Sequence, residues 1–467
     1  MLLPDSIVLN FMQFLDAKSL VSASGVCFQW NRVAYDRFLW RRLFQYDFLK
    51  RIDILRPLSF LEWRQEYERL MVETPSVCIQ TIYHHISEVV HLAISIDGQL
   101  MASLSKDQKL ALWNFSNPEG KLQLVGSFLL RDFSIFWHFP RSCEFSPADS
   151  TILFVAGNQG GTQGHAAIFK LVTVPNSTQL ILKLVTTTFF DPCIHCFAWI
   201  TSTSAKSQNN CLFIRFDQEA GLMSWSFHLL NMITGAVKRW FRSSFHDIGL
   251  PYFLYTARGE AGSILIVFAL RIAGSNEPGK NFVAIHRVTK EELENDALAE
   301  NDEEETPRDP EAVIDCNGYI VGMRLATADV LIVTTRNWKR RAGEHLKSQL
   351  DTACSIQMID LSSFQLIPDE LYAGSSAVNH KSAVCSDGLV ACGSTGPVVN
   401  LWSREYRCLV RSLQHPLAVD CLLFHPFSNG QMLITACEDS VIRVWTSKHR
   451  VYERSSMVSI DEERKLV

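Results

Sequence analysis

Few residue clusters in this chain have the types and spacing that chemistry requires. Cys193, His195 and Cys196 place three potential zinc ligands within four residues. A tetrahedral zinc site needs four ligands, however, and no second cysteine pair follows at a matching distance. The glycine-rich segment 157–165 (GNQGGTQGH) lacks the Lys-Ser/Thr step with which a P-loop binds phosphate and magnesium. We therefore expect no metal and no cofactor, and interpret this segment as an external connection between strands.

Catalytic motifs are missing from the sequence as well. It contains no Gly-x-Ser-x-Gly elbow, no His-Glu-x-x-His pair and no protein-kinase set. The sequence therefore favours a protein that binds partners over an enzyme.

Four residue types recur in a fixed order at two distant places. The first set is His85, Ser103, Asp107 and Trp113, and the second is His415, Thr435, Asp439 and Trp445. In both sets the Asp follows the hydroxyl residue by four positions and the Trp follows the Asp by six. The pattern resembles the WD repeat, in which each unit forms one four-stranded blade of a β-propeller. By that resemblance the four side chains form a buried hydrogen-bond network, which makes them structural residues and not catalytic ones.

A third unit ends at Trp402, 43 residues before Trp445, which fits the usual repeat of roughly 40–45 residues. Gly396 occupies the position of the Asp, so we expect this blade to depend on apolar packing. The 332 residues from Trp113 to Trp445 accommodate either seven or eight blades. Between about residues 130 and 380 the repeats are too degenerate to place individually.

The first 47 residues predict a compact helical unit. Pro4 suits a first helical turn, and Asp16 can cap a second helix. So many apolar and aromatic side chains in about forty residues can hardly all be covered internally. Either a partner covers the surplus apolar face, or it packs on the rest of the same chain.

The next segment, 48–78, is interpreted as a helical linker. Ser59 and Glu62 have the spacing of a capping box, and Trp63, Tyr67 and Leu70 fall on one face of the helix. After this helix the sequence changes to short runs of Val, Ile, Leu and Phe between turn residues, which predicts many short strands.

Composition narrows the function classes. Hydrophobic residues make up 47% and charged residues 20% of the 467 residues, as in folded soluble proteins, and the net charge of −5 does not suggest nucleic-acid binding. No secretory signal or membrane span is recognisable. Thirteen cysteines without regular spacing are expected to remain thiols, so we expect a cytoplasmic location, with a nuclear one also open.

Residues 3–43 resemble an F-box over their whole length. The matching positions are Leu3, Pro4, Ile7, Leu15, Leu20, Val26, Cys27, Trp30, Leu39 and Trp40. Together with the propeller pattern they make the chain similar to the F-box/WD-repeat family. By this resemblance those ten residues bind a Skp-type adaptor, which attaches the chain to cullin and RING subunits, and the propeller binds protein substrates for ubiquitination and proteasomal degradation.

The family is also linked to a second cullin system through the damaged-DNA-binding adaptor. That adaptor favours a Trp-Asp-x-Arg sequence at the end of certain blades. The residues after Trp402 are Ser403 and Arg404, and those after Trp445 are Thr446, Ser447 and Lys448. Neither blade end keeps the Asp, so these two blades give that partner no support.

The predicted organisation is therefore a multidomain protein, with a small all-α F-box and an all-β WD-repeat propeller of seven or eight blades. We expect the F-box at 1–47, the linker at 48–78, the propeller at 79–450 and a C-terminal tail at 451–467. Segment 289–311 is expected to be an acidic disordered insertion, because it has eleven acidic residues against one Arg from Glu291 to Glu311. A solubilising role is favoured for it. The alternative function is a WD-repeat scaffold with no role in a ubiquitin ligase.

Overall fold

The structure of the protein is a computed structural model. It describes residues 3–48, 62–115, 120–160, 163–174, 179–190, 197–200, 210–219, 222–232, 235–246, 249–272, 280–292, 307–316, 318–340, 348–367, 383–386, 388–393 and 396–450. Cys193, His195, Cys196, Ser59, most of the acidic insertion and the C-terminal tail lie outside these ranges, so the predictions made for them stay predictions.

Five α-helices lie at the start of the described chain. They are α1 (Asp5–Met12), α2 (Ala17–Ser24), α3 (Phe28–Ala34), α4 (Arg37–Asp47) and α5 (Trp63–Glu73). The Asp16 side chain caps α2 by accepting a hydrogen bond from the Ser19 amide at 2.8 Å, as such a residue does at a helix N-terminus. At the start of α5, Glu62 and Gln65 form a capping box in which the Glu62 amide donates to Gln65 Oε1 at 3.1 Å.

Seven four-stranded antiparallel sheets follow within the described residues, and they are the blades of a propeller. Blade 1 contains β2 (Val89–Ile94), β3 (Leu100–Ser105), β4 (Lys109–Asn114) and β5 (Gln123–Leu129). Blade 2 contains β6 (Phe139–Phe145), β7 (Ile152–Gly160), β8 (Gln163–Thr173) and β9 (Leu180–Phe190). Blade 3 contains β10 (Phe197–Trp199), β11 (Asn210–Glu219), β12 (Leu222–Asn231) and β13 (Val237–Phe241).

The remaining blades continue the same order from the inner to the outer strand. Blade 4 contains β14 (Gly249–Arg258), β15 (Ile264–Ile272), β16 (Lys280–Val288) and β17 (Ala312–Asp315). Blade 5 contains β18 (Tyr319–Leu325), β19 (Val330–Arg340), β20 (Ser348–Asp360) and β21 (Gln365–Leu366). Blade 6 contains β22 (Ala383–Cys385), β23 (Leu389–Gly393), β24 (Val398–Ser403) and β25 (Cys408–Gln414). Blade 7 contains β26 (Val419–Phe424), β27 (Met432–Cys437), β28 (Ile442–Ser447) and, as its outer strand, β1 (Pro75–Ile82).

The strand β1 joins the two ends of the propeller sequence. It pairs antiparallel with β28, with Pro75 opposite Ser447 and Ile82 opposite Ile442. The ring is thus closed by a strand that lies directly after helix α5.

The inner and middle strands are sandwiched between neighbouring blades, so both of their faces are buried. All six residues of β26 and of β27 are buried, for example. Strands of this kind read as continuous apolar runs without alternation. The fold class predicted from the sequence is confirmed, and of the two blade numbers it allowed, seven is observed in the described part of the chain.

Candidate protein-interaction site

Part of the predicted adaptor-binding set is exposed on the helical unit. Leu3, Ile7, Val26 and Trp30 are 53%, 40%, 63% and 39% exposed. The predicted Pro4 and Cys27 are exposed too, and Leu15 is half-buried. These side chains lie at the start of α1 and around the turn from α2 into α3.

The other three predicted residues are placed differently. Leu20, Leu39 and Trp40 are at most 2% exposed and belong to the core of the helical unit, and the Trp40 indole donates to the Ala34 carbonyl at 2.8 Å. They cannot contact a partner in this arrangement. The expectation of direct contact is corrected for them: they support the exposed face from beneath.

The same unit exposes further apolar residues that are not part of the predicted adaptor-binding set. Phe11 and Phe14 are 66% and 76% exposed, and Phe28 is almost fully exposed. Ile7 and Phe11 share one face of α1, because residues four positions apart lie on the same side of a helix, and Phe14 follows just after the end of this helix. The buried residues of α1, Val8 and Met12, lie on a different side.

Polar contacts hold the start of α1 beside α3. The Gln29 side-chain amide donates to the Leu3 carbonyl and, at 2.9 Å, to the Asp5 carboxylate, and Arg32 forms an ion pair with Asp5. These hydrogen bonds, first that of Gln29 and then that of Arg32, lower the pKa of Asp5. The contacts fix the position of the Leu3–Pro4 segment relative to α3.

The opposite side of the helical unit packs on the propeller. The Phe44 ring lies 5.1 Å from the Trp63 ring and 4.9 Å from the Tyr406 ring, and Tyr406 lies in the turn between β24 and β25 of blade 6. Arg69 of α5 forms an ion pair with Glu405 of the same turn at 2.9 Å. One apolar cluster therefore spans the helices and blade 6.

Blade 1 brings together the first predicted network. Trp113 Nε1 donates to Ser103 Oγ at 2.9 Å, Ser103 Oγ lies 2.8 Å from His85 Nε2, and His85 Nδ1 lies 3.1 Å from the Asp107 carboxylate. A neutral imidazole that is protonated on Nδ1 satisfies every group in this chain. Burial opposes ionisation of Asp107, but hydrogen bonds from His85 and from the amides of Ile86 and Lys109 outweigh it and lower its pKa to about 2.

Blade 7 uses the same residue types with a different connection. Trp445 Nε1 donates to Thr435 Oγ1 at 3.0 Å, and Thr435 Oγ1 lies 2.9 Å from His415 Nε2. His415 Nδ1, however, faces the Leu413 carbonyl at 3.2 Å, while Asp439 accepts from Arg443 at 3.2 and 2.5 Å. The expected His–Asp contact is therefore replaced in this blade, because Arg443 binds the carboxylate.

Two degenerate blades contain polar pairs that sequence analysis did not find. In blade 2 Trp137 Nε1 donates to His165 Nδ1 at 3.0 Å, and in blade 4 Ser243 Oγ lies 3.0 Å from His286 Nε2. Each pair joins the loop before the inner strand to the third strand. In blade 1 the histidine lies in the loop before the inner strand, whereas in blades 2 and 4 the histidine lies on the third strand. Because the residue types occupy different positions, the sequence pattern of the repeat is not recognisable in these two blades.

The described residues of segment 157–165 belong to strands and not to a connection. Residues 157–160 end β7 and residues 163–165 begin β8, with Gly157 paired with His165, so the interpretation of the segment as an external connection is corrected for them. Within the described ranges, no group of three His, Cys, Asp or Glu residues is placed to hold a metal ion. No helix of the described chain is both long and apolar enough to cross a membrane.

Comparison with protein families assigns both parts of the chain. Residues 1–46 match the F-box-like family, and residues 76–114 and 407–446 match the WD domain, G-beta repeat family. The chain carries an F-box-like unit and WD repeats. The helical unit is accordingly called the F-box below. The first repeat match covers β1 and the strands β2 to β4 of blade 1, and the second covers β25 and the strands β26 to β28 of blade 7.

Curated relatives extend this likeness over most of the chain. The rat F-box/WD repeat-containing protein 5 is 23% identical over 544 aligned positions, which cover 96% of this chain and 94% of the relative. The human protein of that name is 28% identical over 250 residues, or 53% of this chain and 39% of the relative. The F-box/WD repeat-containing protein pof10 of Schizosaccharomyces pombe is 38% identical over 66 residues, or 14% of this chain and 10% of the relative. The resemblance to F-box/WD-repeat proteins is confirmed, and it suggests a substrate adaptor.

Proposed function

We propose that this protein is the non-catalytic substrate receptor of a cullin–RING ubiquitin ligase of the SCF type. The F-box binds a Skp-type adaptor, which connects the chain to the cullin and RING subunits. The propeller binds target proteins, which are then ubiquitinated and degraded by the proteasome.

One observation carries the proposal: in the described part of the chain, the F-box packs on the propeller through the side that contains Phe44. Phe44 and Trp63 are buried against the blade 6 turn, whereas Ile7, Phe11 and Val26 stay exposed. Exposed apolar patches that persist in a folded protein usually mark interaction sites. Among the described residues this face is left exposed, which supports the proposal that an apolar partner covers it.

In such a ligase the receptor needs no catalytic residue. Holding a target near the charged conjugating enzyme converts an encounter in solution into a reaction at high effective concentration. Each of the two domains then has a role: the F-box attaches the chain to the ligase, and the propeller selects the target protein.

The second candidate is a WD-repeat scaffold whose helices serve only packing or dimerisation. A propeller alone cannot decide between the two, because one fold supports many functions. The exposed F-box face can decide, since a scaffold has no use for a Skp-type adaptor.

The test places charges on the exposed F-box face. The Ile7→Asp/Val26→Asp variant should no longer co-purify with a recombinant Skp-type adaptor and cullin, because a carboxylate in an apolar interface is costly to desolvate. Tyr46→Asp is the matched control, since Tyr46 is 86% exposed near the end of α4 and is not one of the ten predicted adaptor-binding residues. Circular dichroism and thermal melts verify that both variants remain folded.

The outcomes separate the two candidates. Loss of the adaptor in the double variant, with retention in the control, supports the ligase receptor. If the folded double variant binds the adaptor as well as the unmodified chain, the proposal is wrong and the scaffold remains.

We also propose that the protein acts in the cytoplasm, with the nucleus as a second location. The cysteines in the described part of the chain are thiols and not disulfides, and most of them are buried. Thiols of this kind suit a reducing compartment. Fluorescence microscopy of the tagged full chain tests the location, and a purely secretory distribution would contradict it.

A further inference from the structure

The topology places the loops that precede the inner strands at one end of the propeller channel. The inner strands β26, β2 and β6 of blades 7, 1 and 2 are neighbours in the ring. Because every blade runs antiparallel in the same strand order, the segments before these three strands share one face of the propeller. The turns between the second and third strands lie on that face too.

Large apolar side chains are exposed at matching positions of this face. Leu417, Ile86 and Phe136 lie two or three residues before β26, β2 and β6, and they are 48%, 81% and 61% exposed. Phe139, the first residue of β6, is 57% exposed. We call these four residues the apolar rim. Single exposed apolar residues are ordinary, but a series along three adjacent blades indicates an interaction surface.

Charges around the apolar rim are unsuited to an acidic or phosphorylated partner. Lys106 is paired with Glu88, and Arg443 with Asp439. The exposed Glu438 adjoins the Leu417 loop, where its amide donates to the Ala418 carbonyl at 3.0 Å.

The charged residues of blade 2 near the apolar rim do not form a phosphate-binding site either. Arg131 and Asp132 neighbour each other in the short helix before Phe136, so their charges offset each other. Arg141 lies over the Phe139 ring at 5.8 Å. Recognition of phosphate normally uses clustered cations that are free to bind it.

The F-box leaves this face open. It contacts the propeller at the turn between the third and fourth strands of blade 6, where Tyr406 and Glu405 lie. In this topology such turns lie at the opposite end of the strands from the apolar rim. A partner on the apolar rim and an adaptor on the F-box therefore do not compete for the same surface.

We propose that the apolar rim is the docking site for an apolar, non-phosphorylated peptide segment of a target protein. The inference deepens the proposed function by naming the chemistry that the propeller recognises. Aliphatic and aromatic side chains of the segment would pack on Leu417, Ile86 and Phe136 in turn, across three blades.

The side chains of the apolar rim can be replaced without disturbing the networks beneath them. Ile86 contributes its backbone amide to Asp107 at 3.1 Å, and Leu417 its carbonyl to the thiol of Cys437 at 3.1 Å. Neither contact involves the side chain. The Ile86→Asp/Leu417→Asp variant should therefore fold normally.

Ile96 and Phe427 provide a matched control. They lie in the turns that follow β2 and β26, at the other end of the same two inner strands, and are 55% and 65% exposed. The Ile96→Asp/Phe427→Asp variant adds the same charge to the same blades, away from the apolar rim.

The experiment selects binders from a random peptide library displayed on phage. The purified full chain is the bait, and the Ile86→Asp/Leu417→Asp variant is used to remove peptides that bind elsewhere, including on the F-box. Selected peptides are synthesised, and their affinities for the three proteins are measured by fluorescence anisotropy. We expect peptides rich in Leu, Ile, Phe or Trp, which bind the rim variant about tenfold more weakly or worse and the control variant unchanged.

Three results would overturn the inference. One is that no peptide survives the removal step, and another is that the surviving peptides are acidic. The third is that sedimentation velocity finds a dimer of the unmodified chain that the rim variant lacks, in which case a second copy covers the surface. Adaptor binding enters none of these measurements, so a failure here is distinct from a failure of the ligase proposal.

Discussion

At the scale of single residues, identical residue types do not guarantee identical contacts. Asp107 and Asp439 occupy the same position of the repeat, yet the first binds His85 and the second binds Arg443. Spacing along the chain could predict which blades contain the set. It could not predict the partner of each carboxylate, because a cation four residues further on competes for Asp439.

The blade 1 network should depend on the Ser103 hydroxyl. Ser103→Ala removes the group that joins Trp113 to His85 and leaves two buried polar atoms without a partner. We expect a loss of about 1–3 kcal/mol in the free energy of unfolding, measured with urea. Gln123→Ala, at an exposed position on β5 of the same blade, should change it by less than about 0.5 kcal/mol. Equal effects of the two substitutions would show that the network contributes little.

At the scale of elements, the F-box and the two terminal blades were largely predictable, and the central blades were not. The F-box helices and the hydroxyl-Asp-Trp spacing are sequence-local features. The central blades contain side-chain hydrogen bonds such as Trp137–His165 and Ser243–His286. These bonds join residues that are far apart in sequence, and the spacing differs from one pair to the other. The burial of Leu20 and Trp40 also depends on how four helices pack together, which a motif does not specify.

The turn between β27 and β28 contains a residue in the left-handed region, which offers a way to stabilise blade 7. Ser440 has a φ of 67°. Ser440→Gly should raise the free energy of unfolding by about 0.5–1 kcal/mol, because glycine adopts this conformation without steric cost. Ser440→Ala keeps the Cβ atom and should give no gain. A stabilisation by Ala equal to that by Gly in urea unfolding would contradict the conformational explanation.

At the scale of the whole molecule, buried histidines should make the propeller sensitive to acid. Burial lowers the pKa of His415 and of His286 to about 4, below the ordinary value of 6.5. Between about pH 6.5 and pH 4 these histidines bind protons in the unfolded chain but stay neutral in the folded chain. The free energy of unfolding therefore falls as the pH is lowered through this range. Asp107 acts at lower pH, since its contribution is lost only as its depressed pKa is approached.

The size of this effect can be measured by urea unfolding at pH 7 and pH 5. Each of the two histidines should lower the free energy of unfolding by about 2 kcal/mol between pH 7 and pH 5. His415→Gln should reduce the loss on acidification, and His138→Gln, at an exposed position, should leave it unchanged. If His415→Gln and the unmodified chain lose the same stability on acidification, His415 is not a source of the sensitivity.

The closure of blade 7 by β1 also affects how the protein is made. During translation β1 leaves the ribosome long before β28, its pairing partner, so the nascent chain carries an unpaired strand directly after helix α5. Unpaired strands are prone to aggregation and to binding by chaperones. A truncated product that ends before β28 would present a finished F-box on an open ring. The first strand of the propeller therefore finds its partner only after translation has passed through β28 in the last blade.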